Sequence, residues 1–181
     1  MAIFMFLGLV LCVLAALSDL RTETIPNALT YPVLLLAPPL HVAVAFGCGL
    51  PWRVALLRGG FSLLGLVVCS VVPLYMWRNR ALGGGDVKLF AALGALLLPK
   101  LGFEAEACVF LSATLVAPLQ LLYQGQLPSL LRRMAARLKN AFRPKARRAP
   151  IDPALATWFR LGPCFALGFV AEVILHWRAT W

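Results

Sequence analysis

Long stretches without a charged side chain constrain this chain more than any other feature. A helix needs roughly 20 apolar residues to cross the hydrocarbon of a bilayer, and runs at about 2–18, 29–47, 59–77, 86–102, 106–123 and 159–177 approach or meet that length. The run at 86–102 is the weakest, because Lys88 stands near its start and Lys100 near its end, so neighbouring helices must shield it in part. With 61% apolar residues, 13% charged residues and a mean hydropathy of +0.85, an ordinary water-soluble core, a disordered chain and a collagen-like chain are all excluded. The expected architecture is all-α, a single integral-membrane domain over residues 1–181 with six transmembrane helices. Ala16-Leu17-Ser18 loosely resembles a secretory cleavage site, but residues 1–10 contain no Lys or Arg, and such a signal needs a basic n-region.

Cations orient the bundle, since Lys and Arg near helix ends are retained on the cytoplasmic side. With the N-terminus outside, the cytoplasmic segments hold Arg21, Arg78, Arg80, Lys88 and the nine cations from Arg132 to Arg160, against Arg53, Arg58, Lys100 and Arg178 outside. Most of the bias comes from one cytoplasmic loop, about 124–158, broken by Gly125, Pro128, Pro144, Pro150 and Pro153. Within it Leu127, Leu131, Met134, Leu138 and Phe142 recur at helical spacing, with Arg132, Arg133, Arg137, Lys139 and Arg143 on much of the remaining surface. That pattern predicts a basic amphipathic helix whose partner is anionic membrane lipid. Nucleic acid is not expected as a partner, because a loop tethered to six spans already meets anionic lipid. The five cysteines, at 12, 48, 69, 108 and 164, stand singly in or beside apolar runs with no Cys-x-x-Cys pair. They read as small buried residues rather than a disulfide framework or a metal site, and no cofactor is expected.

Against ten more cations than acids, seven Asp and Glu can be inspected one by one. Asp19 ends the first run and Asp86 opens the fourth, directly after Gly83-Gly84-Gly85. Because the first span runs inward and the fourth returns outward, the orientation derived from cations alone puts both at the cytoplasmic boundary. Taken singly, Asp19 reads as a solvated loop acid beside Arg21, and Asp86 as a helix N-cap. Taken together, they are two acids from distant parts of the chain meeting on one face, in a protein that otherwise keeps acids out of its spans.

Two carboxyls sharing a site repel each other's charge, so that one stays protonated while the other ionises. The ionised group can take a proton from water and the protonated one can donate to a carbonyl oxygen, which is the chemistry of peptide hydrolysis without a covalent intermediate. Glycines before Asp86 would let an extended peptide backbone approach closely. A small transporter using the same acids to bind a cation is the alternative from another class. It would want acids near the midplane and broken helices in symmetric halves.

The chain resembles the type IV prepilin peptidases, a family of integral-membrane aspartic peptidases. The resemblance rests on Asp19-x-Arg21 followed by Ile25-Pro26-Asn27 and Leu29-Thr30-Tyr31-Pro32, and on Gly83-Gly84-Gly85-Asp86-Val87-Lys88-Leu89 with Ala91-Ala92-Leu93-Gly94. A weaker third piece is Leu161-Gly162-Pro163-Cys164-Phe165-Ala166-Leu167-Gly168. The resemblance implies a catalytic pair of Asp19 and Asp86, and a prepilin or pseudopilin substrate cut on the cytoplasmic side of the inner membrane, between a short charged leader and a hydrophobic segment. Lys88 would lie near Asp86 and could bias its charge state, and Glu23 could help receive a cationic leader. Gly83, Gly84, Gly85, Glu23 and Lys88 are thus the expected substrate-binding residues. Longer members carry a cytoplasmic domain between the first two helices, often with Cys-x-x-Cys motifs, and also methylate the new N-terminus. Here that connection is about ten residues without cysteine, which predicts a peptidase-only short form. Other intramembrane proteases with Gly-x-Gly-Asp have more spans and deeper acids. Asn27 is expected to open the second helix, His41 and His176 to lie at the outer interface, and Glu104, Glu106 and Glu172 to serve packing or the interface.

Overall fold

The computed structural model describes residues 2–123 and 161–179, with the isolated positions 125, 128, 132 and 135. Among them every element is a helix and none is a strand: α1 (Ala2–Thr22), α2 (Asn27–Gly47), α3 (Trp52–Arg78), α4 (Gly84–Tyr123) and α5 (Gly162–Ala179). The amphipathic segment expected at 127–143 lies outside the described residues. Residues 1–113 with 160–181 form one compact unit and residues 114–159 another. In the second unit the described helix is the end of α4, whose Leu115, Leu119 and Leu122 are exposed.

The first four helices are each long and apolar enough to cross a membrane, and α5 contributes a shorter apolar helix over Gly162–His176. Their outward faces carry large exposed apolar side chains, among them Phe6, Leu35, Phe46, Leu57, Val71 and Leu175. In water such a surface would be an aggregation liability, whereas lipid is its natural solvent. Prolines mark the helix starts: Pro26 and Pro51, both extended, stand immediately before α2 and α3, where a fixed φ and a missing N–H cost nothing.

Two expected runs, 86–102 and 106–123, fall within α4, and Leu98 interrupts it with φ 66° and ψ 168°. The chain reverses there. Phe90 and Phe110 stack with ring centroids 5.1 Å apart, although 20 residues of straight helix would separate them by about 30 Å. A Cβ on Gly102 would likewise lie 2.9 Å from the Cα of Gly94. The chain turns some residues earlier than the apolar pattern suggests because Pro99 follows Leu98 and cannot donate to a helical bond.

The first leg of this hairpin, 84–97, is about 20 Å long, short of the roughly 30 Å of hydrocarbon. Its shielding is nevertheless complete over one long stretch, since every residue from 89 to 97 is buried. Phe90 also packs against Phe165 of α5, 4.5 Å between ring centroids. Against α3 the approach is backbone to backbone: a Cβ on Gly65 or Gly94 would run into the carbonyl of the other. Close helix contact through small residues is the usual means of packing where lipid supplies no hydrophobic drive. Elsewhere α1 packs along α5, α2 along α3, and α1 more lightly on α2.

A reversal inside an apolar bundle exposes carbonyls that no helical N–H can reach. Two side chains from other helices supply the donors. Ser62 Oγ on α3 donates to the Ala95 carbonyl at 2.6 Å, and His41 Nε2 on α2 donates to the Leu96 carbonyl at 2.9 Å. His41 is therefore not the interfacial residue expected from its place near a span end. It is buried and stacked on Phe4 with ring centroids 3.8 Å apart. Removing one of these donors strands a buried acceptor, so Ser62→Ala should lower stability by about 1 kcal/mol. Ser70→Ala, which loses only a bond within its own helix to the Val67 carbonyl, should change it little. Comparing the two unfolding midpoints in a denaturing detergent titration checks this.

Candidate active site

Asp19 stands inside α1, not in the loop beyond it. The helix runs one turn past the apolar run because Ser18 and Thr22 close its end: Thr22 Oγ1 donates to the Ser18 carbonyl at 3.0 Å, and Ser18 Oγ donates to the Thr24 carbonyl at 3.0 Å. Glu23 follows in the left-handed region, φ 56°, its N–H donating to the Asp19 carbonyl at 3.0 Å, the usual geometry of a helix stop. The connection to α2 is therefore only residues 23–26. Asp19 is 9% exposed, which removes the reading of a solvated loop acid.

Its carboxylate meets a different part of the chain. The Gly162 N–H, at the start of α5, donates to Asp19 Oδ2 at 2.9 Å. A Cβ on Gly162 would lie 2.5 Å from Asp19 Cβ and 2.6 Å from that oxygen, so only glycine leaves the carboxylate its place.

Asp86 is half-buried in the first turn of α4, where its Oδ2 accepts the Gly83 N–H at 3.2 Å. Asp86 is thus not the N-cap itself: it stands at N3 and reaches back to the N–H of Gly83 at the N-cap, the reciprocal half of a capping box. Gly85 abuts the loop after α1, where a Cβ would lie 3.1 Å from Ile25 Cβ, and Gly84 faces the Trp77 indole nitrogen. The two carboxylates interact electrostatically with each other, and both with the thiol of Cys164, buried in the first turn of α5. Three helix ends thus meet here: the C-terminus of α1 and the N-termini of α4 and α5.

Of the other expected residues, Glu23 is exposed in the connection that follows α1. Lys88 is turned to α2, its ammonium donating to Asn27 Oδ1 at 2.7 Å and lying 4.9 Å from the centre of the Tyr31 ring. Asn27 opens α2, as expected, and in addition holds this lysine. Gly162 stands in the sequence within the weaker Leu161–Gly168 piece of the resemblance, where nothing local points to a contact with Asp19.

A family model for the type IV leader peptidase family matches residues 6–121, more than half of the chain. The chain belongs to the type IV leader peptidase family. Among its relatives, a prepilin peptidase EppA of Methanothermobacter thermautotrophicus is 38% identical over 95 residues, covering 51% of this chain and 23% of that protein. A prepilin leader peptidase/N-methyltransferase of Vibrio cholerae is 31% identical over 99 residues, covering 55% of this chain and 36% of that protein. The matched part is thus well under half the length of either relative. No solved structure matches the chain. The family match takes in Asp19, Asp86 and the Lys88–Asn27 contact and stops short of α5, so Gly162 joins the cluster from outside it.

Lys88 and Asn27 tie the start of α4 to the start of α2 across 61 residues of sequence. Lys88→Met and Asn27→Ala should therefore be non-additive, with a coupling of about 1 kcal/mol in a double-mutant cycle of unfolding free energies. Additive losses would mean that the contact contributes nothing to holding the two ends together.

Proposed function

We propose that this chain is a membrane-embedded aspartic endopeptidase that removes the leader from prepilin or pseudopilin substrates, with Asp19 and Asp86 as its catalytic pair. What supports the reading is the electrostatic interaction between these two acids, both within the segment that the family match covers. Water is the nucleophile. One carboxylate takes a proton from it while the other, protonated, donates to the scissile carbonyl oxygen. The tetrahedral intermediate then collapses with breakage of the C–N bond, and the leaving amine takes a proton.

The bundle on this reading crosses the inner membrane six times with its N-terminus outside. α1 to α3, the two legs of α4 and α5 make the crossings, the short first leg being shielded by its neighbours. That path brings the ends bearing Asp19, Asp86 and Gly162 to one face, and the Lys and Arg distribution makes it the cytoplasmic one. Gly83, Gly84 and Gly85 line the approach for the substrate backbone, and Glu23 receives the cationic leader. Lys88, held by Asn27, acts by keeping the start of α4 in place. The 124–158 loop docks on anionic lipid, which neutralises its charge and leaves the acids as the landing site for a basic leader. With only four residues between α1 and α2, the chain is a peptidase without the methyltransferase function named in the Vibrio relative.

Membranes carrying the wild-type chain should cleave a prepilin, and Asp19→Asn or Asp86→Asn should each slow cleavage by roughly a thousandfold or more; cleavage indifferent to both substitutions would remove the pair from the mechanism. Mass spectrometry of the product should show a free, unmethylated N-terminus even with a methyl donor supplied. Changing Arg132, Arg133, Arg137, Lys139 and Arg143 to Gln should weaken binding of the 124–158 segment to anionic vesicles, and unchanged binding would discard lipid docking.

A further inference from the structure

We propose that Gly162, at the start of α5, is a positioning residue for the catalytic carboxylate of Asp19. The proposal rests on the reading of Asp19 and Asp86 as the catalytic pair and adds to it a part of the chain outside the family match. A helix begins with N–H groups that have no helical acceptor, and here they can be followed one by one. Pro163 has none. The N–H groups of Cys164 and Phe165 both reach the Leu161 carbonyl, at 2.9 and 3.2 Å. Gly162 N–H alone turns outward, and its acceptor is Asp19 Oδ2, at 2.9 Å, in a buried bond spanning 143 residues of sequence.

Two further facts make this bond directional. The missing Cβ at Gly162 is the space that Asp19 Cβ and Oδ2 fill, so α5 fixes the side chain by shape as well as by hydrogen bonding. Asp19 Oδ1 takes no hydrogen bond among the described residues. One oxygen is thereby held, and a carboxylate fixed at one oxygen has few orientations left to it. General acid–base chemistry depends on that restriction, since the acting oxygen must stay within hydrogen-bond reach of the water or carbonyl it serves.

The test uses the full-length protein in liposomes with a prepilin substrate. Gly162→Ala inserts a methyl group where the carboxylate lies. Replacing Gly162 by glycolic acid, which turns its amide into an ester, removes the N–H and adds no atom that could clash. Gly168→Ala is the packing control: it lies on the same helix, its Cβ would come 2.5 Å from Val109 Cα, and it does not touch Asp19. A displaced catalytic group costs on the order of 100-fold in rate, so both changes at position 162 should lower kcat by about that factor with KM held within about threefold. Gly168→Ala should lower thermal stability while the folded fraction keeps its kcat. Wild-type kcat in the ester variant would overturn the proposal, as would an equal fall of kcat in folded Gly168→Ala. Cleavage by Asp19→Asn at the wild-type rate would instead overturn the catalytic pair itself, so the two failures are told apart.

Discussion

In hydrocarbon a backbone amide or carbonyl without a partner costs several kcal/mol, and the arrangement of this bundle follows from the places where helical pairing stops. At Leu98 and Pro99 the released carbonyls are taken by Ser62 and His41, from two other helices. At the start of α5 the remaining N–H is taken by Asp19, and at the start of α4 the Gly83 N–H is taken by Asp86. The reversal in α4 and the start of α5 are thus also joints between elements distant in sequence, whereas the start of α4 is closed within its own first turn. The two acids are held in place partly because helix starts need acceptors.

Apolar run length and the two isolated aspartates were legible in the sequence, because both are one-dimensional signals: a count of uncharged residues and a scarcity of acids. The helical content followed directly. The end of α1 did not, since the run stops at a charge while the helix continues through hydrogen bonds of Ser18 and Thr22 that hydropathy does not register. His41 near a span end read as interfacial. Its burial depends on a carbonyl freed by a reversal more than fifty residues away, which no local pattern contains. For the same reason the Leu161–Gly168 piece gave no sign of the partner of Gly162, which lies 143 residues earlier.

The hairpin within α4 explains how a short, lysine-flanked run can sit at the centre of the bundle. Residues 89–97 are buried on all sides because α2, α3 and α5 and the returning leg surround them. The leg therefore does not need the length of a lipid-facing span. Its position is set by the Gly65–Gly94 contact in the middle and by the Lys88–Asn27 bond near its start. Asp86, between the Gly83 cap and Lys88, inherits its placement from both.

Asp19 and Asp86 are each held by a neutral peptide amide, while Lys88 is committed to an asparagine and a tyrosine ring. Had guanidinium or ammonium groups done the holding, their charge would have cancelled that of the acids. Restraint by peptide dipoles holds the two side chains without adding an opposing charge to them.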